Sequence, residues 1–467
     1  MKFRGLIIAA VILAALEGAL YWSNHHKPKE TTDTDTANAA PKFLSVNEND
    51  VTQIALKKKD SDISLTKNSA GNWDITAPQK VAADSYSVSN IIGLVSPLIT
   101  ERVVEDKASS LAQYGLSQPA LEVDVTSKDN KTQKLLIGDE TPSGNAAYAR
   151  MDGNPTVFTV PKYDKTGLDK SVNDLRDTHL ITASQDKVSR VELVARNEDI
   201  QFGRNKDAWQ IEKPKPYRAD PSQVDSLVHD LTDARMEFPP ASAEIDSSED
   251  KDKGKSKNDD EKKVASAFAT GTPVATAKIT ADKGTQELEV RKKDNEYYAK
   301  SSVVEGAYRV AGSVGVDLEK KLDDFRDKKL FDLGQEDPGK IEIHAGDKSY
   351  FLTKGGDDWW SGDGKKIDPS AAFALLNQVR DLSAAKFVDS GFTTPVVEIS
   401  ATSKDGKHVE KVLIAKAGDH FVAERQNEPG LYQLDAKSVD GLETAAANLK
   451  PAEPPKAEPR KTARPNQ

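Results

Sequence analysis

"WDITAPQKVAADSYSVSNIIGLV" fills positions 73–95, "WQIEKPKPYRADPSQVDSLVHDL" fills 209–231, and "WWSGDGKKIDPSAAFALLNQV" fills 359–379. Each runs from a tryptophan through a short polar stretch to an aspartate, then to apolar residues at helical spacing. Asp84, Asp220 and Asp368 stand where an N-cap belongs, and a carboxylate there accepts bonds from the unpaired first-turn N–H groups. Pro221 and Pro369 follow two of them, at the helix position where a missing N–H costs nothing. The expected buried faces are Val88, Ile91, Ile92, Val95 and Leu98; Val224, Leu227, Val228 and Leu231; and Phe373, Leu376 and Val379.

Outward from these stretches the repeat continues. Before each tryptophan stand two alternating runs with a polar turn between them, as in "VSRVELVARNEDIQFGRNKDAW", the pattern of half-buried strands. After each helix comes a second half that reads as four short strands and a helix. Leu175-Arg176-Asp177 matches Phe325-Arg326-Asp327 at the end of that half, and the third copy has lost the match. The chain is therefore expected to be α+β: three tandem modules of antiparallel strands with packed helices, each about 130 residues and of normal domain size. The modules span 43–180, 181–334 and 335–449, with a disordered charged insertion at about 243–263 and a disordered Pro- and Lys-rich tail over 450–467.

The N-terminus predicts one transmembrane helix before the modules. Lys2 and Arg4 precede an apolar run from Gly5 to Trp22 that carries one charge, Glu17. At about 1.5 Å per residue it reaches roughly 27 Å, close to the hydrocarbon thickness of a bilayer. The good A-x-A site, Ala37-Asn38-Ala39, lies too far downstream to serve a cleaved signal peptide. An uncleaved signal anchor over 1–22 follows, with its N-terminus in the cytoplasm, a flexible tether over 23–42, and the bulk of the chain periplasmic or extracytoplasmic. Ala10, Ala14 and Gly18 form a small-xxx-small face bordered by Glu17, a candidate surface for another membrane protein.

Composition narrows the chemistry. In 467 residues with net charge -10, no basic stripe marks a nucleic-acid partner. The absence of cysteine excludes thiol catalysis, disulfides and Cys-ligated metals. There is no H-E-x-x-H, G-x-S-x-G, Walker A or dinucleotide fingerprint. Ser64 and Lys67 have S-x-x-K spacing but sit in a strand run, and the His25-His26 pair lacks a third ligand. No catalytic, cofactor or metal residues are assigned. Trp73, Trp209 and Trp359 read as core plugs, and Trp360, next on the strand, is the candidate exposed aromatic.

The W-x-I-x-x-P of Trp73, Ile75 and Pro78, the Ala83-Asp84 helix start and the "YGLSQP" of Tyr114 to Pro119 resemble domain of unknown function family 4340. Trp209, Ile211, Pro214 and Ala219-Asp220 repeat the pattern without the YGL motif, and in the third copy Gly391-Phe392 and Pro395 are what remains of that motif. The resemblance implies a one-pass bacterial membrane protein accompanying ABC-transporter permeases or auxiliary subunits, or gliding-motility-like assemblies. It carries no catalytic residues. The expected function is a non-catalytic accessory or scaffold protein; the alternatives are a cell-envelope glycan- or peptide-binding protein and, third, an unrecognised hydrolase.

Overall fold

A computed structural model describes residues 46–452 apart from 97, 99, 207, 239–256 and 334–336. The expected membrane span, with Ala10, Ala14, Glu17 and Gly18, lies outside the described residues. Among those residues no helix is long and apolar enough to cross a membrane. The chain forms two compact units, one ending at Asp177 and one starting at Thr178.

The first unit holds one mixed-length antiparallel sheet. Its strands are β1 (Val51–Lys58), β2 (Ser61–Lys67), β3 (Trp73–Ala77), β4 (Val81–Ala82), β5 (Arg102–Glu105), β6 (Leu121–Ser127), β7 (Thr132–Glu140), β8 (Ala146–Met151) and β9 (Val157–Pro161). Their order is β4-β3-β2-β1-β6-β7-β8-β9-β5. Two meanders thus meet through their first strands, β1 and β6, and each meander ends in a helix: α1 (Ser85–Val95), and α2 (Lys162–Leu168) continued by α3 (Val172–Leu175). Val51, Ile54 and Leu56 alternate with exposed or half-buried neighbours because one sheet face packs on these helices. Val88, Ile91, Ile92 and Val95 of α1 fill the core, each worth roughly 1.5–3 kcal/mol when fully buried.

The second unit repeats this plan twice. Strands β10 (Arg190–Ala195), β11 (Glu198–Asn205), β12 (Ala208–Lys213) and β13 (Tyr217–Arg218) lead to α4 (Pro221–Thr232). After α5 (Lys257–Thr270), strands β14 (Thr272–Ala281), β15 (Gly284–Lys293), β16 (Glu296–Ser301) and β17 (Tyr308–Val310) lead to α6 (Gly312–Leu318) and α7 (Leu322–Phe325). The third module has β18 (Lys340–Ala345), β19 (Lys348–Gly355), β20 (Asp358–Ser361), α8 (Pro369–Asp381), β21 (Lys386–Val388), β22 (Pro395–Thr402), β23 (Val409–Ala417), β24 (His420–Arg425), β25 (Leu431–Leu434) and α9 (Ala436–Ala447). Again the first strands of the two halves pair, β10 with β14 and β18 with β22.

Four expectations are corrected. Lys257–Lys263 of the supposed disordered insertion is the first half of α5. Its polar sequence conceals a helix that one residue anchors: Phe268 is buried under the Arg291 and Lys300 cations, 4.9 and 4.8 Å from its ring. Phe373 is 62% exposed, because the face of α8 that packs is Ala372, Leu375, Leu376 and Val379. Lys450–Ala452 belong to the third module, not to a tail: Asp368 N donates to Lys450 O, and Ile367 bridges Pro451. Finally, the third copy keeps the backbone of the lost ending. Pro451 takes the place that Arg176 and Arg326 hold opposite Ala83 and Ala219.

What lies between the two halves of a module covers the sheet face away from the helices. In the first module it is the YGL segment, where Leu116 packs with Leu136 and Val157 and Tyr114 donates to Glu105 at 2.8 Å. In the second, which lacks that motif, α5 and Phe268 take its place. In the third the connection is short, and Val396 and Val409 of the second half stay exposed.

Candidate functional site at the joint of the second and third modules

The predicted residues have local roles. Trp73, Trp209 and Trp359 are buried at the same point of each sheet, and each has a cation over its ring: Lys67 at 5.8 Å, Arg204 at 5.5 Å and Lys354 at 5.5 Å. The Trp209 indole also donates to Asp225 of α4 at 3.0 Å. Asp84 accepts from Ser87 N, Asp220 from Ser222 and Gln223 N, and Asp368 from Ser370 and Ala371 N. Ser64 lies on β2, away from any helix start. Among the described residues no group of three His, Asp or Glu is placed to hold a metal. The structure does not bring the predicted residues together.

What it does assemble is a charged joint. Asp327 N donates to Arg218 O within the second module, while one residue later Ala384 N donates to Lys328 O in the third. Consecutive residues of the chain are therefore bonded into the second and the third module. Leu330 N donates to Leu382 O, and the Leu330 and Phe331 side chains enter the third core.

Arg326 is the centre of this joint. Its guanidinium lies 4.0 Å from the Tyr217 ring of the second module and 3.6 Å from the Phe387 ring of the third. It is 7% exposed, and its Nη1 pairs with Asp323 at 3.0 Å. Its Nε has no hydrogen-bond partner, so the two ring faces supply much of what replaces water around the cation. Gly430 makes room for it, since a Cβ there would stand 2.7 Å from Arg326 Nη2.

Beside Arg326 runs a chain of ion pairs. Arg218 Nη1 is 2.7 Å from Asp327 Oδ2 and Nε is 3.2 Å from Glu428 Oε1; Nη2 also donates to Lys329 O. Glu428 takes Arg425 Nε at 2.9 Å and the Tyr432 hydroxyl at 3.0 Å. Arg425 continues to Glu410 at 3.2 Å and to Leu330 O. Burial, aided by the Glu428 charge, pushes the Tyr432 hydroxyl up to about 12, so it stays a donor. Burial also lifts Asp327 above the usual carboxylate range despite the pull of Arg218. Desolvation therefore exceeds attraction at that carboxylate.

A cavity of about 400 Å³ opens at the far end of the chain of charges, with Asp332, Asp337, Lys404, Asp405, His408 and Glu410 in its wall. Glu410 is not free to act there. Its Oε2 accepts from Asp332 N at 2.8 Å, while Oε1 takes Arg425 and faces His408 Nε2 at 3.4 Å. Chemically the constellation fastens one module to another.

Sequence reasoning noticed the recurring Leu/Phe-Arg-Asp but read it as a helix ending. The signal it missed is the leucine three residues after the aspartate, Leu180 and Leu330, both buried.

Comparison with known families agrees with the repeat. The family described as Domain of unknown function (DUF4340) matches residues 73–208 and 209–403, so the chain belongs to that family. The second match runs across the joint, from β12 through β22. No curated protein matches the chain.

Proposed function

We propose that this chain is a non-catalytic accessory or scaffold protein, anchored in the bacterial cytoplasmic membrane by residues 1–22 and carrying its three modules on the extracytoplasmic side. The observation that carries this reading is the joint. Its arginines and carboxylates are engaged with each other and with backbone, an arrangement that fixes two modules in one unit. A fixed arm outside the membrane suits a subunit that presents surfaces to other proteins. The partners are other membrane proteins, an ABC-type transporter permease or auxiliary subunit, or a gliding-motility-like assembly. Ala10, Ala14 and Gly18, with Glu17 beside them, are the proposed contact within the membrane.

The test is mild-detergent pull-down with mass spectrometry, comparing wild type, Ala14→Leu with Gly18→Leu, Glu17→Gln, and a chain carrying an unrelated anchor. Recovery of permease or ATPase subunits, reduced by the leucine pair at equal membrane levels, is expected. Recovery of no membrane protein by any version would overturn the accessory reading. An unchanged partner set with the unrelated anchor would move recognition to the modules.

A further inference from the structure

The three modules act as controls for one another. Trp360 pairs with Thr353 across β19 and β20, on the sheet face away from the helices. The residue after the buried tryptophan is Asp74 in the first module and Gln210 in the second, at the same register positions. Phe351, two residues before Thr353, corresponds to Ser64 and Gln201. Two copies build this hairpin with polar side chains there, so the hairpin itself does not require an aromatic pair.

Trp360 is 38% exposed and set close over the end of the neighbouring strand β19, where a Cβ at Gly355 would stand 2.9 Å from Nε1. Phe351 lies in the next row, its ring edge-on to His344 at 5.6 Å. Around them stand polar groups: Thr353 opposite Trp360, and Lys366 bridged to it on the other side. The nearby charges are already matched, Asp358 with Lys366 and Asp363 with Lys365, each at 2.7 Å.

We infer that Trp360 and Phe351 form a stacking platform for a neutral pyranose of a glycan chain. The exposed part of the indole is on the order of 100 Å², since a whole tryptophan buries about 150–250 Å². A stable protein interface needs roughly 800 Å² on each partner, so this patch is too small for a second copy. With the neighbouring charges paired, an ionic ligand gains little. A sugar ring fits both limits: its C–H face lies on the electron-rich ring face, and its rim hydroxyls reach Thr353 and Lys366. The inference does not rest on the accessory reading.

The experiment is saturation-transfer NMR on the full-length protein, in a detergent without a sugar headgroup, with chitotriose, cellotriose and maltotriose as probes. Saturation of the pyranose C–H protons of at least one probe is expected. Trp360→Gln, which installs the residue of the second module, should weaken that binding at least about tenfold. Phe351→Ser should weaken it less, and both variants should melt with wild type. No saturation with any probe, or equal saturation in Trp360→Gln, would overturn the platform. So would a wild-type dimer, seen by sedimentation, that Trp360→Gln dissolves.

Discussion

Thr178–Thr182 and Lys328–Asp332 lead into the second and third modules in the same way, yet they are tied down by different chemistry. In the second module Ser301 Oγ donates to Leu180 O, and Gln286 Oε1 accepts from Thr182 N at 2.8 Å. In the third, Arg425 and Glu410 occupy the same register positions and bond Leu330 O and Asp332 N. A hydroxyl and an amide are enough to hold such a strand. The charges of the third module therefore do something more: they reach past the strand to Glu428, and through it to Arg218 of the preceding module.

Removing one charge should therefore harm the third module far more than removing one hydroxyl harms the second. Arg425→Ala leaves the buried Glu410 and the half-buried Glu428 with a partner missing, and should cost about 3–5 kcal/mol in chemical denaturation. Ser301→Ala should cost about 1 kcal/mol, a single neutral bond. Converting the third module to the chemistry of the second, Arg425→Ser with Glu410→Gln, should recover most of the Arg425→Ala loss. Equal losses for Arg425→Ala and Ser301→Ala would erase the contrast.

The first module sharpens the point with a buried carboxyl that no arginine answers. Burial, with the charge of Glu101, pushes Asp164 up to about 6. A raised carboxyl favours the protonated fold, so its penalty is absent below the unfolded value near 3.8 and grows as pH rises through about 6. Asp164→Asn should therefore stabilise the first module at pH 7 by up to about 3 kcal/mol, with the gain fading by pH 4. Melting curves at the two pH values check the sign.

Arg326→Ala removes a cation shared by two rings and should cost about 2 kcal/mol, and Arg326→Lys should restore little, because an ammonium cannot stack on both faces. Another small effect lies outside the joint. Asp220→Ala should cost about 0.5–2 kcal/mol as a lost N-cap, below the roughly 3–5 kcal/mol expected for Trp209→Ala in the same module. A reversed order in urea denaturation would give Asp220 a role beyond capping.

The parts readable from sequence were those fixed within a few residues of one another. The Asp-Pro helix starts and the alternating strands around the tryptophans depend on local spacing, and so they were legible. Phe373 misled because an apolar residue at helical spacing reveals a helix but not which side its neighbours cover. Helix α5 was hidden since Lys257–Lys263 carries no apolar period and a single phenylalanine anchors the rest. The joint was least legible. Arg218, Arg326, Glu410 and Arg425 come from four separate segments, and charges on the way to such a meeting look like ordinary surface.

The strand order of each module reads outward from its centre, first strand against first strand, with a helix closing each half. That is the arrangement of a symmetric dimer fused into one polypeptide, because each half alone would leave its first strand as an open edge. On this view the chain holds six half-size folds in three self-complementary pairs. In the second module the described residues between the halves form no strand of the sheet, so added sequence there separates no paired strands. The acidic and basic residues between α4 and α5 are inserted at just such a seam.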